Sequence, residues 1–267
     1  MTILSGMTRT DALSVLGRAD KAFALPRLGG MARPNGIVIV SERYWAFAGT
    51  DGSVKEGRMP HPPELLHRIP LVRGLARLAA SLSPLFRRTG VAGARERRLL
   101  IAALVAPLLF FVLPASLRTP FGIALSLILI ASLLRGRTLY LHGAEHRAIG
   151  AAEERSLGAT WRGQAKPSRF SPRCGTNFAA LVLPVTLAAD RLWPLSPALY
   201  TPIAVTVLSL ALTMEVWRFV QASSGRVAKL FLLPGLALQR VTTREPTLDE
   251  TRLALVAVAA VLTRELP

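Results

Sequence analysis

The sequence predicts a mainly α-helical, polytopic membrane protein with about four hydrophobic segments, a small N-terminal β-hairpin region and cytoplasmic amphipathic helices. Of its 267 residues, 51% are hydrophobic and only 6% are aromatic, and the mean hydropathy is +0.39. These values are too apolar for an ordinary soluble enzyme. The net charge of +17 comes mostly from arginines that flank the apolar segments, a distribution typical of the positive-inside rule.

Residues 1–60 have the pattern of a polar N-terminal region with short strands. Residues 36–41 and 44–48 are apolar and rich in β-branched or aromatic side chains, and Asp51-Gly52 is a turn signal. We therefore expect a small β-hairpin here. The first thirty residues lack a continuous apolar segment, so we expect no cleavable signal peptide.

Residues 61–98 have the pattern of a basic amphipathic helix. Pro62 and Pro63 mark its beginning, and apolar residues then recur at helical spacing as far as Leu82. Such a helix can lie in the membrane interface with its arginines toward the headgroups. Packing against the rest of the protein explains the same pattern equally well, and both alternatives stay open.

Two pairs of apolar segments follow, and we interpret each pair as a hairpin. The first pair covers residues 99–134 and the second covers residues 178–217. The segment 99–117 has about nineteen residues, which is enough to cross ~30 Å of hydrocarbon at ~1.5 Å per residue. The segments 120–134 and 178–189 are short for a full crossing, and a re-entrant hairpin is the alternative for them.

The placement of basic residues predicts the orientation in the membrane. Eight arginines lie between Arg68 and Arg98, and eight basic residues lie between Arg135 and Arg173. We therefore expect a multi-pass protein of the inner membrane whose N- and C-termini and central loop are cytoplasmic. Its expected partner is a lipid bilayer with anionic headgroups. No nucleic-acid partner is expected, because the sequence has no binding motif beyond its charge.

Residues 218–267 carry two short motifs and then a final helix. The motifs are Pro234-Gly235 and the stretch 242–246, which reads Thr-Thr-Arg-Glu-Pro. Thr247 and Glu250 form a capping-box pattern that predicts where the helix begins. Apolar residues recur behind this box on a wide face, and we expect the segment to be soluble or interfacial.

Residues 135–177 hold the most chemically specific pattern in the chain. His142, Glu145 and His146 form an H-x-x-E-H motif, in which two imidazoles four residues apart lie on one helix face. Both can reach one metal ion, and Glu145 can then act as general base. At ~100° per residue, Glu153 falls within the same ~100° arc, which predicts a ligand set of two histidines and this glutamate. The thiolate of Cys174 is a candidate fourth ligand.

A purely structural explanation of the same residues stays open. Glu145 and Glu153 could pair with Arg147 and Arg155 on a solvated helix face. Cys174 is the single cysteine, which excludes an intramolecular disulfide. A lone cysteine is more often a small buried residue than a metal ligand.

Taken together, these motifs resemble the YqhQ-like membrane protein family, known as domain of unknown function 1385. The resemblance rests on residues 140–147 and 172–178, on the glutamate between them, and on residues 234–236 and 239–246 in the tail. It extends from about residue 27 to the end of the chain. The family is described as predicted metal-dependent enzymes, and the resemblance implies a role in a metal site for five residues: His142, Glu145, His146, Glu153 and Cys174.

The chain departs from the family pattern at three positions. Ser171 stands where the family has a histidine two residues before the Arg-Cys pair, and Met31 and Asn35 stand where it has glutamine and glutamate. These substitutions remove polar groups from the pattern. They suggest a divergent member that lacks catalysis.

From the sequence we favour a non-catalytic scaffold or assembly factor at the cytoplasmic membrane face, with a metal site. Its partner would be a membrane protein or a second copy of the chain. The alternative is a membrane-bound metal-dependent hydrolase. It would hold Zn²⁺, or another divalent metal, with His142, His146 and Glu153, and it would use Glu145 as the base.

Overall fold

The computed structural model describes residues 9–87, 90–105, 136–195, 200–223 and 225–266, together with short pieces between 106 and 135. The protein is mainly α-helical, as predicted. Its elements are, in chain order, α1 (Arg9–Lys21), β1 (Gly29–Arg33), β2 (Gly36–Val40), β3 (Tyr44–Gly49), β4 (Val54–Arg58), α2 (Glu64–Arg68), α3 (Val72–Phe86), α4 (Ala94–Val105), α5 (Gly136–Glu153), α6 (Leu157–Trp161), α7 (Gly175–Arg191), α8 (Thr201–Ala222), α9 (Arg226–Thr242) and α10 (Leu248–Glu265).

The N-terminal region forms a four-stranded antiparallel sheet in the order β1-β2-β3-β4. The predicted hairpin is its centre, where Val38 lies opposite Phe47 in the β2–β3 register. The prediction was incomplete because β1 begins with Gly29-Gly30 and β4 is largely polar, so neither has high intrinsic β propensity. Ladder pairing with the inner strands holds both outer strands in place.

Alternation along β2 divides its side chains between two cores. Ile37 and Ile39 are fully buried in the main core, together with residues of α1, α5, α6 and α10. Val38 points to the opposite face, where it is buried with Trp45 and Phe47. This period of two is expected of a strand that is covered on both faces, and it fixes which face of the sheet meets α5.

The C-terminal helix α10 lies in the main core rather than at an interface. The predicted capping box is present, since Thr247 accepts from the backbone of Glu250 and the Glu250 carboxylate accepts from the backbone of Thr247. The helix packs against α5, β2, β3 and α1. Its apolar face is fully buried from Ala254 to Leu262, so the burial of this face anchors α5.

The segment 61–98 contains three helices where one amphipathic helix was predicted. The chain leaves helical geometry after Arg68, and Leu71 adopts a left-handed φ of 68° directly after Pro70. Proline supplies no backbone N–H, which explains the break. Helix α3 packs against α8, where Arg73 forms an ion pair with Glu215 at 2.6 Å.

One helix among the described residues is long and apolar enough to cross a membrane. It is the part of α8 from Ile203 to Ala222, with a mean hydropathy of 1.7. This corresponds to the fourth predicted segment. The third lies in α7, which has 17 residues and therefore falls short of ~20 residues for a crossing. The two predicted segments between 99 and 134 lie mostly outside the described residues.

Candidate metal centre

Helix α5 brings the two motif histidines together. His142 and His146 lie one helical turn apart, and their ring centroids are 4.4 Å from each other at an interplanar angle of 65°. His146 is 2% exposed, and His142 is half-buried. The helix is fixed by the core contacts of β1 and α10, so both imidazoles are held on one face, as their spacing predicted.

Cys174 completes a group of three possible ligands from a separate part of the chain. Its Sγ lies 3.1 Å from His142 Nε2. One donor atom each from His142, His146 and Cys174 lie within 4.8 Å of one another. Ligands that bind a tetrahedral ion at ~2.0–2.3 Å are separated by about 3.3–3.8 Å, so the donor atoms would have to approach one another by at most about 1.5 Å to hold a zinc ion.

Hydrogen bonds orient both histidines with Nε2 toward the group. His142 Nδ1 is 2.9 Å from the carbonyl oxygen of Thr242, and His146 Nδ1 is 2.7 Å from that of Arg169. A carbonyl can only accept, so both Nδ1 atoms donate, and the neutral rings carry their lone pairs on Nε2. This is the usual arrangement of metal-binding histidines.

The surroundings of His146 Nε2 indicate whether a cation is compatible with this group of side chains. Among the described residues it has no hydrogen-bond partner. A buried acceptor without a partner is costly, and a cation held between it, His142 and Cys174 would remove that cost. The donor set of two imidazoles and one thiolate suits Zn²⁺, so the residues present fit a divalent metal.

Burial keeps the three donor groups uncharged. Desolvation lowers the pKa of His142 below its usual value and lowers that of His146 to about 3. The thiol of Cys174 has its pKa raised to about 11 by burial, with a contribution from the charge of Glu145. Opposing this, Thr176 donates to Sγ from its backbone N–H at 3.4 Å and from its hydroxyl at 3.2 Å. These two donors at the beginning of α7 would stabilise a thiolate once a cation neutralises it.

Glu145 lies beside this group without belonging to it. Its carboxyl lines a cavity of about 220 Å³ together with His142, Cys174 and Gly30. Burial raises the pKa of Glu145 to about 8, and a hydrogen bond from the backbone of Ala32 opposes the shift. A carboxyl with this pKa is mostly protonated at pH 7, and only its ionised fraction can act as a general base.

Gly30 allows the close approach of β1 to Glu145. A Cβ atom at Gly30 would lie 2.8 Å from Glu145 Cγ and 2.9 Å from the backbone oxygen of Val38. Both distances are below what real side chains adopt. The glycine therefore gives the carboxyl its enclosed position.

The predicted ligand Glu153 does not join the three-residue group. Its carboxylate forms an ion pair with Arg173 at 2.5 Å. Glu153 lies in the same angular arc of α5 as the histidines, but the rise along the helix separates it from them. At ~1.5 Å per residue it lies about 16 Å from His142 and about 10 Å from His146. Cys174 occupies the third place instead.

The three residues that depart from the family pattern lie in different surroundings. The Ser171 hydroxyl accepts from the backbone of Arg173 at 3.2 Å. Met31 lines the cavity beside Glu145. The backbone carbonyl of Asn35 accepts from Thr50 at 2.9 Å in the turn between β1 and β2.

The C-terminal motif builds the wall behind the histidines. Gly143 packs so closely on this segment that a Cβ there would lie 2.1 Å from the Arg244 carbonyl oxygen. Buried Arg147 donates to the Glu245 carboxylate at 2.6 Å. Motifs far apart in the sequence thus meet at one place.

Sequence reasoning did not identify several groups that contribute to the site. The carbonyl groups of Thr242 and Arg169 are backbone atoms and leave no side-chain signal. Thr138 and Thr176 line the cavity, and the Thr138 hydroxyl has no partner among the described residues. The spacing of Thr138, one turn before His142 on α5, is the one signal that could have identified it.

Comparison with known proteins identifies a family whose activity is not established. The family described as "Protein of unknown function (DUF1385)" matches residues 69–264, a range that includes all three possible ligands. The "Uncharacterized protein YqhQ" of Bacillus subtilis (strain 168) is 24% identical over 288 aligned residues, which cover 86% of this chain and 90% of that protein. No solved structure gives a significant match.

Proposed function

The chain belongs to DUF1385, a family of proteins of unknown function, as its motifs predicted, and from that premise we propose that it is a membrane-associated, metal-dependent hydrolase. The observation that carries the proposal is the convergence of His142, His146 and Cys174 beside the buried carboxyl of Glu145. Catalytic zinc sites have three protein ligands and one open position, whereas structural sites are closed by four.

Each residue has a distinct role in this proposal. His142 and His146 would hold the cation through Nε2, and Cys174 would hold it through Sγ. A bound Zn²⁺, or another divalent metal, supplies Lewis-acid chemistry at the cavity. Glu145 in its ionised form would accept a proton from an attacking water and return it to the leaving group.

The proposed location is the cytoplasmic face of the inner membrane. Support comes from α8, whose apolar part is only 28% buried, unlike the core helix of a soluble protein. The neighbouring helices α7 and α9 also expose large apolar side chains: Leu183, Leu187, Leu230, Leu233 and Val241. Anionic headgroups would complement the basic residues of the chain. The cytoplasmic position of both termini stays a prediction.

A non-catalytic scaffold is the second candidate. The specific observation in its favour is Ser171, which stands where the family has a histidine and whose hydroxyl accepts from the backbone of Arg173. The exposed apolar residues of α9 would then contact a membrane protein or a second copy of the chain. In this case the metal group would be structural, and Glu145 would have no role in chemistry.

Hydrolysis by the zinc-loaded protein tests the proposal. The chain is first recovered from alkali-washed membranes, as its proposed location requires. It is then assayed in detergent against chromogenic ester, amide and phosphodiester substrates. We expect activity in the wild type and a loss of at least about a hundredfold in Glu145→Gln, because general-base catalysis contributes ~10²–10⁴-fold.

Zinc content is measured on the same samples. Glu145→Gln should retain one zinc per chain, since Glu145 is not a ligand. Hydrolysis that is unchanged in Glu145→Gln would refute the catalytic role. A wild type that binds zinc and hydrolyses none of the substrates supports the scaffold instead.

A further inference from the structure

A second cavity lies beside the candidate metal centre and is built from the same three chain segments. Its volume is about 320 Å³. The segment before and along β1 contributes residues 25–28 to it and residues 30–32 to the metal cavity. The turn before α7 contributes Arg173 to one cavity and Cys174 to the other. The two cavities are lined by neighbouring residues of these segments and lie one after the other along α5.

One face of α5 lines both cavities. At ~100° per residue, the α5 residues that line the two cavities fall within an arc of about 100°. They are Thr138, His142 and Glu145 at one end, and Ile149, Ala152 and Glu153 at the other. With a rise of ~1.5 Å per residue, the second cavity begins several ångströms beyond Glu145 and ends about 12 Å away.

The second cavity is basic. Arg27, Arg155 and Arg173 line it, against the single carboxylate of Glu153. This leaves a net charge of +2. Glu153 pairs with Arg173, and Arg27 is exposed and has no carboxylate partner among the described residues. Glu153 therefore sits where an anionic ligand would compete for Arg173.

Arg155 differs from the other two arginines in its surroundings. Its guanidinium donates to the carbonyl oxygens of Ala19 at 3.0 Å and Phe23 at 3.3 Å. Its backbone has a left-handed φ of 56°, which costs a non-glycine residue about 1 kcal/mol or more. These bonds tie the end of α5 to the end of α1, so Arg155 holds the cavity wall and contributes charge without being free to move.

We propose that this basic cavity binds a phosphate group of the substrate while the bond to be cleaved lies at the metal centre about 10 Å away. A dianionic phosphate matches the net charge of +2 better than a carboxylate does. The planar forks of Arg27 and Arg173 can each bind two phosphate oxygens. That this anion belongs to a substrate rests on the proposed hydrolase, whereas phosphate binding itself does not.

Titration of the metal-free, full-length protein with phosphate tests the proposal without involving the metal centre. One arm uses inorganic phosphate in a zwitterionic detergent, followed by calorimetry. The other arm uses vesicles of phosphatidic acid in phosphatidylcholine, compared with phosphatidylcholine alone. Binding in the first arm identifies a soluble phosphate compound as sufficient, and binding in the second alone identifies a lipid headgroup. Either result supports the site if it depends on Arg27.

Three variants should change phosphate affinity in three different ways. Arg27→Gln should weaken binding about tenfold, since it removes a charged hydrogen-bond donor. Glu153→Gln should strengthen binding severalfold, because it frees Arg173. Arg58→Gln removes an exposed arginine from β4, at the opposite edge of the sheet, and should leave binding unchanged.

The outcomes separate this inference from the proposed function. Absence of phosphate binding in both arms, or equal affinity in wild type, Arg27→Gln and Glu153→Gln, overturns the phosphate site. Cobalt(II) added to Arg27→Gln should still give the absorption of a thiolate-bound ion. Loss of that signal in the wild type would instead count against the metal centre and leave the phosphate result standing.

Discussion

The His146 imidazole is buried, and only one of its nitrogens has a hydrogen-bond partner among the described residues. Desolvation keeps the ring neutral, with a pKa near 3. A neutral ring with one donated proton and one unused lone pair is ready to bind a cation. His142 has the same orientation, but its Nε2 already lies against the Cys174 sulfur.

Proton release on zinc binding provides a prediction at this scale. At pH 7 the Cys174 thiol is protonated, because its pKa is about 11, and both histidines are neutral, because their pKa values are lowered. Zinc binding must therefore displace one proton, from the thiol alone. We expect the apparent affinity to rise about tenfold per pH unit between pH 7 and 9.

Calorimetry in buffers of different ionisation enthalpy measures this release. The expected value is about one proton per zinc in the wild type and none in Cys174→Ser. A release near zero in the wild type would mean that the sulfur is not a ligand. A release near two or three would mean that the histidines are protonated in the metal-free protein.

The ligand residues show how far sequence reasoning extends. The spacing of His142 and His146 predicted their pairing, because four residues make about one helical turn. The same reasoning included Glu153, since an angular projection ignores the rise along the helix. Cys174 is 28 residues beyond His146, so thiolate chemistry and the family resemblance could nominate it as a ligand, but its distance to His142 depends on how α7 docks.

At the scale of elements, the contact between β1 and α5 encloses the Glu145 carboxyl. Gly30 permits this contact, since any side chain there would overlap Glu145 and the backbone of Val38. Strand β1 had no strong sequence signal, because two glycines open it. Its role comes from pairing with β2 and from packing on α5.

Replacing the two adjacent glycines provides the prediction at this scale. Gly30→Ala should destabilise the protein by about 1–3 kcal/mol, as overpacking in a tight contact does. Gly29→Ala is the matched control, because its Cβ would meet only Val40 Cγ2 at 3.5 Å, an ordinary contact. Thermal unfolding should show a clearly lower Tm for Gly30→Ala and a Tm near the wild-type value for Gly29→Ala. Equal Tm values for both variants would contradict the close packing.

Other elements were predictable to different degrees. The capping box of Thr247 and Glu250 placed the beginning of α10 correctly, because a local side-chain pattern determines it. The break at Pro70 was missed, since the apolar spacing continues on both sides of it. Helical periodicity does not show that the chain changes direction here. After the break, the Leu71 N–H donates a hydrogen bond to the Glu215 carboxylate at 3.1 Å.

At the scale of the whole molecule, the site joins three parts of the chain. Helix α5 supplies two imidazoles, the turn before α7 supplies the sulfur, and the end of α9 supplies the Thr242 carbonyl that orients His142. The buried helix α10 and the sheet hold α5 in place. The helices α7, α8 and α9 carry exposed apolar residues. The site therefore lies where the main core of sheet and helices adjoins the helices proposed to contact lipid.

The apolar segments predicted a mainly helical chain and the separated motifs predicted the family, and both predictions are confirmed. The number of crossings could not be derived in the same way. Apolar runs of 12 to 15 residues can be short spans or packed helices, and α7 shows why, because its apolar stretch is part of a helix that also carries Cys174 at its N-cap. The expected lipid partner and orientation stay predictions.

The central claim is that His142, His146 and Cys174 form one metal centre. The most direct measurement is the zinc content of the protein purified without chelators, by mass spectrometry. We expect one zinc per chain in the wild type and in Glu153→Gln, whose carboxylate pairs with Arg173 instead. His146→Ala and Cys174→Ser should lose it while remaining folded by circular dichroism. A wild type without zinc or any other divalent metal, or full zinc content in both ligand variants, would contradict the account.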